Sequence, residues 1–383
     1  MTLRQLSWSA AVAMATVPFG PRVACAQNRP PSAAAASPKQ FSRPIRVCAG
    51  GDVTLGTNLD PNWSRFAADT LRTVFGLAPD PDVLVAPLRQ LVSGADLVLL
   101  NVEGAIGAGP APRKCAPKSR NCFAFRQPPS AAAALASIAD SGAVVVGNVA
   151  NNHSHDAGNA GRDTTIALLR SAGARVTGAD TLATPVVIGL GDTIGVLGFH
   201  TDTSTPDARD LRAVRRHVGR AVARYGTVVV TMHLGAEGPP AQRTRNANER
   251  FLKENRGNPV AFADAALAAG ATLVVGHGPH VLRAAEWRGN RLVLYSLGNL
   301  LTYGPFSLHE PTNRGAVLCA TIDSAGSVSQ ATLTPTMQRY PGVLVPDSTH
   351  RAWRLVDSLS ALDFPRTGVV VDSTGTLLKR APK

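Results

Sequence analysis

Short apolar segments alternate with longer segments of helical periodicity along this chain of 383 residues, and no other feature restricts the fold as strongly. The apolar segments predict β-strands and the longer ones predict amphipathic helices. Strands are predicted at residues 45–49, 96–100, 144–146, 175–177, 186–188, 194–199, 228–232, 272–275, 292–295, 316–322, 328–333 and 368–371. Helices are predicted at residues 63–75, 83–92, 130–139, 162–172, 208–224, 259–269 and 353–361. This order predicts a layered α/β domain with right-handed crossovers.

The N-terminal residues have the composition of an export signal. A largely apolar stretch at residues 6–17 follows Arg4, and Ala24-Cys25-Ala26 supplies a small-x-small cleavage site. The apolar stretch is too short to cross a bilayer as a helix. Cys25 leaves a lipid anchor as the second alternative, since Arg22 stands where a lipoprotein signal has an aliphatic residue.

These features divide the chain into four predicted segments. They are a signal peptide at 1–26, a flexible linker rich in Pro, Ala and Ser at 27–43, a main domain at 44–340, and a C-terminal helix and strand at 341–383 that complete the same domain. We therefore expect an exported protein, periplasmic or extracellular, that is either soluble or associated with a membrane.

Charge and cysteine content narrow the function classes. Lys and Arg number 39 against 26 Asp and Glu, a formal charge of +13, but no basic run is interleaved with aromatic residues. We therefore expect a solvated basic surface and no nucleic-acid partner. Cys115 and Cys122 bracket a basic loop and are the predicted disulfide, whereas Cys48 and Cys319 lie in apolar runs that favour buried thiols. The absence of a CxxC spacing argues against thiolate metal binding.

Polar residues of the types that bind metal ions follow five of the predicted strands. Gly278 and Pro279 predict a tight turn that aims two histidines, on the loop after strand 272–275, at one point. Each cluster could be structural by itself, but the carboxyl ends of strands in an α/β sheet lie along the edge where ligands bind. The clusters are Asp52; Asn101 and Glu103; Asn151, Asn152, His153, His155 and Asp156; His233; and His277 and His280.

Together these residue types suit a pair of divalent ions. A carboxylate can bridge two cations, an asparagine oxygen is a neutral hard ligand, and imidazoles complete the coordination without cancelling all the charge. Two neighbouring ions can polarise a phosphoryl group and generate hydroxide at neutral pH. The clusters therefore predict hydrolytic displacement at phosphorus.

Six motifs in the same order resemble those of the CapA, or poly-γ-glutamate capsule biosynthesis, family. They are GDVTLG at 51–56, NVEG at 101–104, ANNHSHDAG at 150–158, HLGAEG at 233–238, GATLVVGHGPHVL at 270–282 and LYSLGNL at 294–300. The resemblance runs from about Ile45 to near Leu362. That family is similar in fold to the calcineurin-like metallophosphoesterases, so the resemblance implies a four-layer αββα sandwich.

The resemblance also implies residue roles. His153 would stabilise the transition state or protonate the leaving oxygen, Asp156 would orient an imidazole, and Glu103 would bridge two divalent ions, Mn, Fe or Zn. The implied metal ligands are Asp52, Glu103, Asn152, His233, His277 and His280. Candidate contacts to an anionic substrate are Asn101, which is alternatively a ligand, Asn151, Glu237, Arg243 and Asn299, which is alternatively part of a plain turn.

Two departures from the phosphoesterase pattern leave two functions open. Thr54 stands where those enzymes carry a liganding histidine, and the last two histidines are separated by two residues rather than one. One metal position is therefore predicted to have fewer ligands. The first function is a metal-dependent hydrolase of phosphoester or related bonds in capsule biosynthesis. The second is a noncatalytic envelope protein that binds an anionic polymer and cooperates with capsule-assembly membrane proteins.

Overall fold

Two mixed β-sheets packed face to face form the centre of the computed structural model, which describes residues 41–112, 115, 123–189, 191–203 and 206–381. The predicted signal peptide at 1–26 and residues 27–40 of the predicted linker lie outside the described residues. The strands are β1 (Ile45–Leu55), β2 (Leu97–Val102), β3 (Ala105–Ile106), β4 (Arg126–Gln127), β5 (Val144–Asn148), β6 (Arg175–Thr177), β7 (Thr184–Ile188), β8 (Asp192–His200), β9 (Val228–His233), β10 (Arg250–Phe251), β11 (Glu254–Asn255), β12 (Leu273–His277), β13 (Ala285–Arg288), β14 (Arg291–Leu294), β15 (Asn299–Tyr303), β16 (Arg314–Ile322), β17 (Val328–Arg339), β18 (Val343–Pro346), β19 (Val370–Val371) and β20 (Leu377–Leu378).

Each large sheet has a parallel centre. In the first sheet the order is β18-β17-β16-β1-β2-β5-β6, with β15 also paired to β1; β15, β1, β2, β5 and β6 are parallel. In the second sheet the order is β13-β14-β12-β9-β8-β7, with β14, β12, β9 and β8 parallel. The pairs β3–β4, β10–β11 and β19–β20 form three small ribbons. Parallel centres place the carboxyl ends of the strands of each sheet along one edge.

Seven helices are described: α1 (Pro61–Thr70), α2 (Pro81–Leu91), α3 (Ser130–Ala136), α4 (Gly158–Ser171), α5 (Leu211–Tyr225), α6 (Pro259–Ala268) and α7 (Arg351–Asp363). A π-helical turn at Leu71–Phe75 extends α1, and a short 3-10 helix covers Pro239–Ala241. Asp60, Asp80, Asp210 and Asn258 cap α1, α2, α5 and α6 by accepting backbone N–H bonds. No helix in these described parts is long and apolar enough to cross a membrane.

Three apolar layers separate helices and sheets. Along β2, Val98 and Leu100 face α1 to α4, while Leu97 and Leu99 face the second sheet. This alternation shows why the strand is apolar throughout: both of its faces are buried. Helices α5 and α6 cover the far side of the second sheet, and α7 contributes to the core between the sheets. The four-layer αββα sandwich predicted from the sequence is confirmed.

Every predicted helix and strand is present, but several strands extend further than predicted. The prediction that His277 lies on a loop is wrong, because β12 continues through it; only His280 lies in the following turn, with φ 56°. Strand β1 likewise continues to Leu55, so Asp52 lies within it. The predicted strands are too short because a polar residue normally indicates the end of a buried strand. Here those polar side chains are buried and contact one another across the strands.

The cysteine predictions need one correction. Cys48 and Cys319 are opposite each other on β1 and β16 and form a disulfide, so the prediction of two buried thiols is wrong. These residues are 271 positions apart, and only the pairing of the two strands brings them together. Cys115 is also disulfide-bonded, but Cys122 lies outside the described residues, and that pairing stays a prediction.

We expect the Cys48–Cys319 disulfide to stabilise the fold. Replacing both residues by Ala should lower the free energy of unfolding by about 2–4 kcal/mol, because the unfolded chain without this cross-link has more conformational entropy. Urea unfolding followed by circular dichroism measures the change. Reductant should lower the midpoint of the wild type by more than that of the double variant, which still contains the Cys115 disulfide. Equal midpoints for the double variant and wild type without reductant would contradict this role.

Candidate metal centre

Two rows of polar side chains meet where the parallel strands of the two sheets end. In the first sheet, Asn299, Asp52, Asn101 and Asn148 are neighbours in register on β15, β1, β2 and β5. In the second sheet, the row contains a histidine from each of β8, β9 and β12. Those histidines are His200, His233 and His277. Asn101 Nδ2 lies 3.2 Å from His233 Nδ1, so the two rows touch.

A β-bulge directs Asp52 toward the second row. The register between β1 and β2 shifts between Ala49 and Asp52, and Asp52 donates its backbone N–H to the Gly298 carbonyl over 3.0 Å. A Cβ atom at Gly51 would lie only 2.0 Å from the Gly298 oxygen. Only glycine permits this approach, and the bulge it allows redirects the next side chain.

Asp52, Glu103 and His233 form the core of the site. One ligand atom from each lies within 4.8 Å of the others, and all three side chains are buried. His277 Nδ1 lies 3.8 Å from Asp52 Oδ1, and His280 Nε2 lies 3.6 Å from Glu103 Oε1. The structure therefore brings five of the six predicted ligands together in one cluster, and the sixth, Asn152, lines the adjoining cavity, which His280 also lines.

The unpaired atoms of this cluster fit a cation. Burying a polar atom without a partner costs roughly 1–3 kcal/mol, and more for a charged group, so such atoms need another explanation. Oxygen and imidazole nitrogen donors together suit Mn, Fe or Zn. The buried atoms without a hydrogen-bond partner here are both Glu103 carboxylate oxygens, Asn152 Oδ1, His233 Nε2 and both ring nitrogens of His277.

Burial and mutual charge set the protonation of the cluster. Burial and the charge of Asp52 hold the pKa of Glu103 well above its usual value. Burial opposes ionisation of Asp52 too, but contacts with His280 and His277 hold its pKa below the usual value. Burial lowers the pKa of His233 strongly and that of His277 to about 4. Both rings are therefore neutral at neutral pH, the form that binds metal ions.

His280 differs from the other two imidazoles. Burial acts to lower its pKa, but Glu103 and Asp52 outweigh burial and raise it well above the usual value. Its Nδ1 lies 2.9 Å from Asn299 Oδ1 and 3.1 Å from Asp52 Oδ2. Asn299 in turn donates its amide to the Thr312 carbonyl over 2.8 Å. Asn299 therefore orients the His280 ring. Asn299 does not line the cavity, where the predicted contact with substrate would have to occur.

Asn101 joins the two halves of the site. Its amide nitrogen donates to Asp52 Oδ1 over 2.8 Å, and its carbonyl oxygen accepts from Asn148 and Asn151 over 3.0 and 3.2 Å. The same Asn101 amide nitrogen also lies 3.2 Å from His233 Nδ1. Asn101 and Asn151 thus use their polar atoms within the protein, and the structure does not place them at the cavity surface.

Thr54 supports the backbone of Glu103. The Thr54 hydroxyl donates to the Glu103 carbonyl over 2.6 Å, and the Glu103 N–H donates to the Val53 carbonyl over 2.9 Å. Thr54, where the resemblance implied a histidine in the phosphoesterases, therefore fixes the backbone of Glu103. It lies in the site but offers no metal-binding nitrogen.

His153 is held at the edge of the cluster by Asp156. Its Nδ1 lies 2.7 Å from Asp156 Oδ2, which also accepts the Phe125 N–H over 2.7 Å. The His153 N–H donates to Asn151 Oδ1 over 3.1 Å, and the Phe125 ring lies 4.7 Å from the imidazole. These contacts fix both the position and the orientation of the ring, as the predicted role of Asp156 requires.

A cavity of about 420 Å³ adjoins the cluster. Asn152, His153 and His280 line it, together with Glu237, whose Oε1 lies 2.9 Å from Arg256 Nη2. Arg243 does not line this cavity: its Nε lies 2.5 Å from Asp363 Oδ1 near the end of α7. Of the five predicted substrate contacts, the structure places only Glu237 at the cavity.

Several residues of the site were not predicted. His200 donates from Nδ1 to the His233 backbone carbonyl over 3.1 Å, and burial lowers the pKa of His200 to about 4. His200 and Asn148 each lie at the end of an apolar run in the sequence. The same pattern identified His233 as a candidate, so both could have been predicted from it. Arg256 and Phe306 have no such pattern, since only the fold brings their loops to the cavity.

Comparison with known families identifies the chain. Residues 46–303 match the family described as "Bacterial capsule synthesis protein PGA_cap". The chain belongs to this family. All six predicted ligands of this PGA_cap member lie inside the matched range, as do His153 and Asp156. A search of curated proteins finds no relative of this PGA_cap protein.

A search of solved structures finds matches at low identity. A protein from Staphylococcus aureus assigned as a 5′-nucleotidase, in complex with α-ketoglutarate, is 13% identical with a TM-score of 0.44 and is covered over 59% of its length by 83% of this chain. The 5′-nucleotidase precursor from Thermus thermophilus is 12% identical with a TM-score of 0.34, with coverage of 59% of that protein and 84% of this PGA_cap chain. The chain thus spans about three fifths of both proteins.

Replacing Thr54 by Val should weaken metal binding without preventing folding. The change removes the hydroxyl that holds Glu103 but keeps the side-chain shape, and loss of such a supporting hydrogen bond typically lowers metal affinity by about 10- to 100-fold. Titration calorimetry with Mn²⁺ measures the affinity. Thr70→Val, which removes an exposed hydroxyl on α1, is the matched control and should bind Mn²⁺ like the wild type. Equal affinities for all three proteins would contradict the role of Thr54.

Replacing Glu103 by Gln should stabilise the metal-free protein. The variant should also lose the stabilisation that Mn²⁺ gives to the wild type. Because the folded-state pKa of Glu103 is raised, the metal-free wild type loses stability as pH rises above the usual glutamate value of about 4.3, and the variant lacks this loss. Mn²⁺ at about 100 times its dissociation constant should stabilise the wild type by about 2.7 kcal/mol. Thermal unfolding with chelator or Mn²⁺ measures both effects. An unchanged response of the variant to Mn²⁺ would place the ion elsewhere.

Proposed function

We propose that this protein is an exported, metal-dependent hydrolase of phosphoester or related bonds that acts in capsule biosynthesis, with two divalent ions, Mn, Fe or Zn, at its active site. One observation carries the proposal. Six buried oxygen and nitrogen atoms of Glu103, Asn152, His233 and His277 lack hydrogen-bond partners beside a cavity that His153 lines. Such a buried, charged and unsatisfied cluster is typical of a functional site.

The chain's own residues would hold the ions and the substrate. Glu103, between His233 and His280, is the proposed bridging ligand, and Asp52, Asn152 and His277 complete the set. When bound, the ions would polarise the phosphoryl group and lower the pKa of an attacking water. The substrate is anionic in this proposal, since the phosphoryl group must approach the cations.

His153 is the proposed acid for the leaving oxygen. Asp156 holds the proton at Nδ1 and stabilises the charged ring, so the imidazole would deliver a proton from Nε2 as the ester bond breaks. The Phe125 ring packs against the imidazole, with the two ring centres 4.7 Å apart. Geometry and chemistry therefore support a transfer of this kind at the cavity edge.

Family membership supports the role in capsule synthesis, and two further features support export. The N-terminal residues have the pattern of a signal peptide, and the Cys48–Cys319 disulfide is typical of oxidising compartments. Capsule-assembly membrane proteins are the proposed partners. No nucleic acid is proposed, because the cavity is lined by acidic, aromatic and histidine side chains.

Metal content and turnover test the proposal together. Purified protein should retain about two equivalents of a transition metal, and protein treated with chelator should regain hydrolysis of a phosphomonoester or phosphodiester when Mn²⁺ is added. A γ-glutamyl peptide should be assayed in parallel for amide cleavage. Binding of poly-γ-glutamate with no hydrolysis under any metal would support the noncatalytic alternative instead.

His153→Ala should reduce turnover by about 10²- to 10⁴-fold while the metal content stays at the wild-type value, because the ring acts on the leaving group. Asp156→Asn should reduce turnover less, since the ring stays but loses its anionic partner. His217→Ala, on α5 behind the second sheet, is the matched control and should be fully active. A His153→Ala variant with wild-type turnover would remove the proposed acid.

A further inference from the structure

The cavity beside the metal centre has an apolar wall, defined by Phe123, Phe125, Phe251, Leu252, Pro305 and Phe306. This wall begins at the site itself: the Phe125 ring lies 4.7 Å from His153, and the Phe306 ring lies 5.6 Å from His280. The two phenylalanine rings stack on each other at 4.6 Å. A group attached to a phosphoryl at the metal centre would therefore meet aromatic rings.

The side chains that line this cavity provide little positive charge for binding a polyanion. Among the described lining residues, Arg256 is the only arginine or lysine. Its Nη2 lies 2.9 Å from Glu237 Oε1, and its Nε lies 3.0 Å from Glu254 Oε2. A guanidinium already paired with two carboxylates attracts a further anion weakly, because the three groups together carry a net negative charge.

The β10–β11 hairpin provides an independent observation. Leu252 and Lys253 form its turn with φ of 45° and 72°, a left-handed conformation in which Asn and Gly are the preferred residues. The Leu252 side chain is nevertheless 73% exposed and lines the cavity. Neither turn geometry nor packing among the described residues accounts for a large apolar side chain here, and contact with a ligand in the cavity would account for it.

We infer that the substrate carries an uncharged, apolar ring next to its phosphoryl group, and that this ring packs on the apolar wall. The inference rests on the proposed function and specifies its substrate class. A cavity of about 420 Å³ is of the size that holds a small organic ligand, and aromatic walls bind rings through stacked and edge contacts. A carboxylate polymer is disfavoured as the occupant of this cavity.

Binding of phosphonates to the Mn²⁺-loaded full chain tests the inference without requiring turnover, since their carbon–phosphorus bond is not hydrolysed. Titration calorimetry should show benzylphosphonate binding about tenfold more tightly than methylphosphonate, because the ring is removed from water. An oligomer of γ-glutamate should not displace benzylphosphonate. Equal affinities for the two phosphonates, absence of binding by either, or displacement by the oligomer would overturn the inference.

Two variants test whether the apolar wall causes the preference for benzylphosphonate over methylphosphonate. Leu252→Asn removes the apolar contact and places a favoured residue in the left-handed turn, so the variant should fold and should lose about threefold in preference for benzylphosphonate. Phe251→Ala should reduce the preference further. Leu182→Asn is the matched control, because Leu182 is 70% exposed and does not line the cavity. A preference unchanged in both wall variants would overturn the assignment.

Turnover separates this inference from the proposed function. Hydrolysis of phosphoesters with equal affinity for both phosphonates would leave the proposed function standing and overturn the ring preference. A clear preference for benzylphosphonate in a protein that hydrolyses no phosphoester would support the ring-binding wall and count against the hydrolase.

Discussion

The burial of two carboxylates among imidazoles, where two sheets end, is the constraint on which the rest of the structure depends. Asp52 and Glu103 are both completely buried, and like charges so close oppose each other's ionisation. The amide of Asn101 and the ring of His280 offset part of this repulsion. The atoms that remain without partners are ones that bound cations would satisfy. Without bound cations, this burial lowers the stability of the fold, as is common at functional sites.

Much of the fold could be predicted from the sequence because strands buried on both faces are apolar throughout. Their polar ends could be predicted as a site for the same reason: Asp52 and His233 interrupt apolar runs where nothing local requires a charge. The extension of β12 through His277 could not be predicted, because the contact that makes a polar residue acceptable inside a strand comes from the facing sheet.

The parts of the site that could not be predicted depend on long-range contacts. Arg243 follows His233 closely in the chain, which predicts a position near the substrate, yet it pairs with Asp363. Arg256 occupies the position beside Glu237 instead. The disulfide between Cys48 and Cys319 likewise depends on β1 and β16 being neighbours. In each case local sequence gives the residue type, and only the strand order determines its partner.

The family match ends at residue 303, but residues after this point still pack in the interior between the two sheets. Leu318 and Leu333, on β16 and β17, and Ala352 and Val356, on α7, fill that interior. A polypeptide cut where the recognisable motifs stop would leave the inner surfaces of both sheets open to water. The C-terminal eighty or so residues supply none of the proposed metal ligands, yet the domain that holds those ligands cannot bury its core without them.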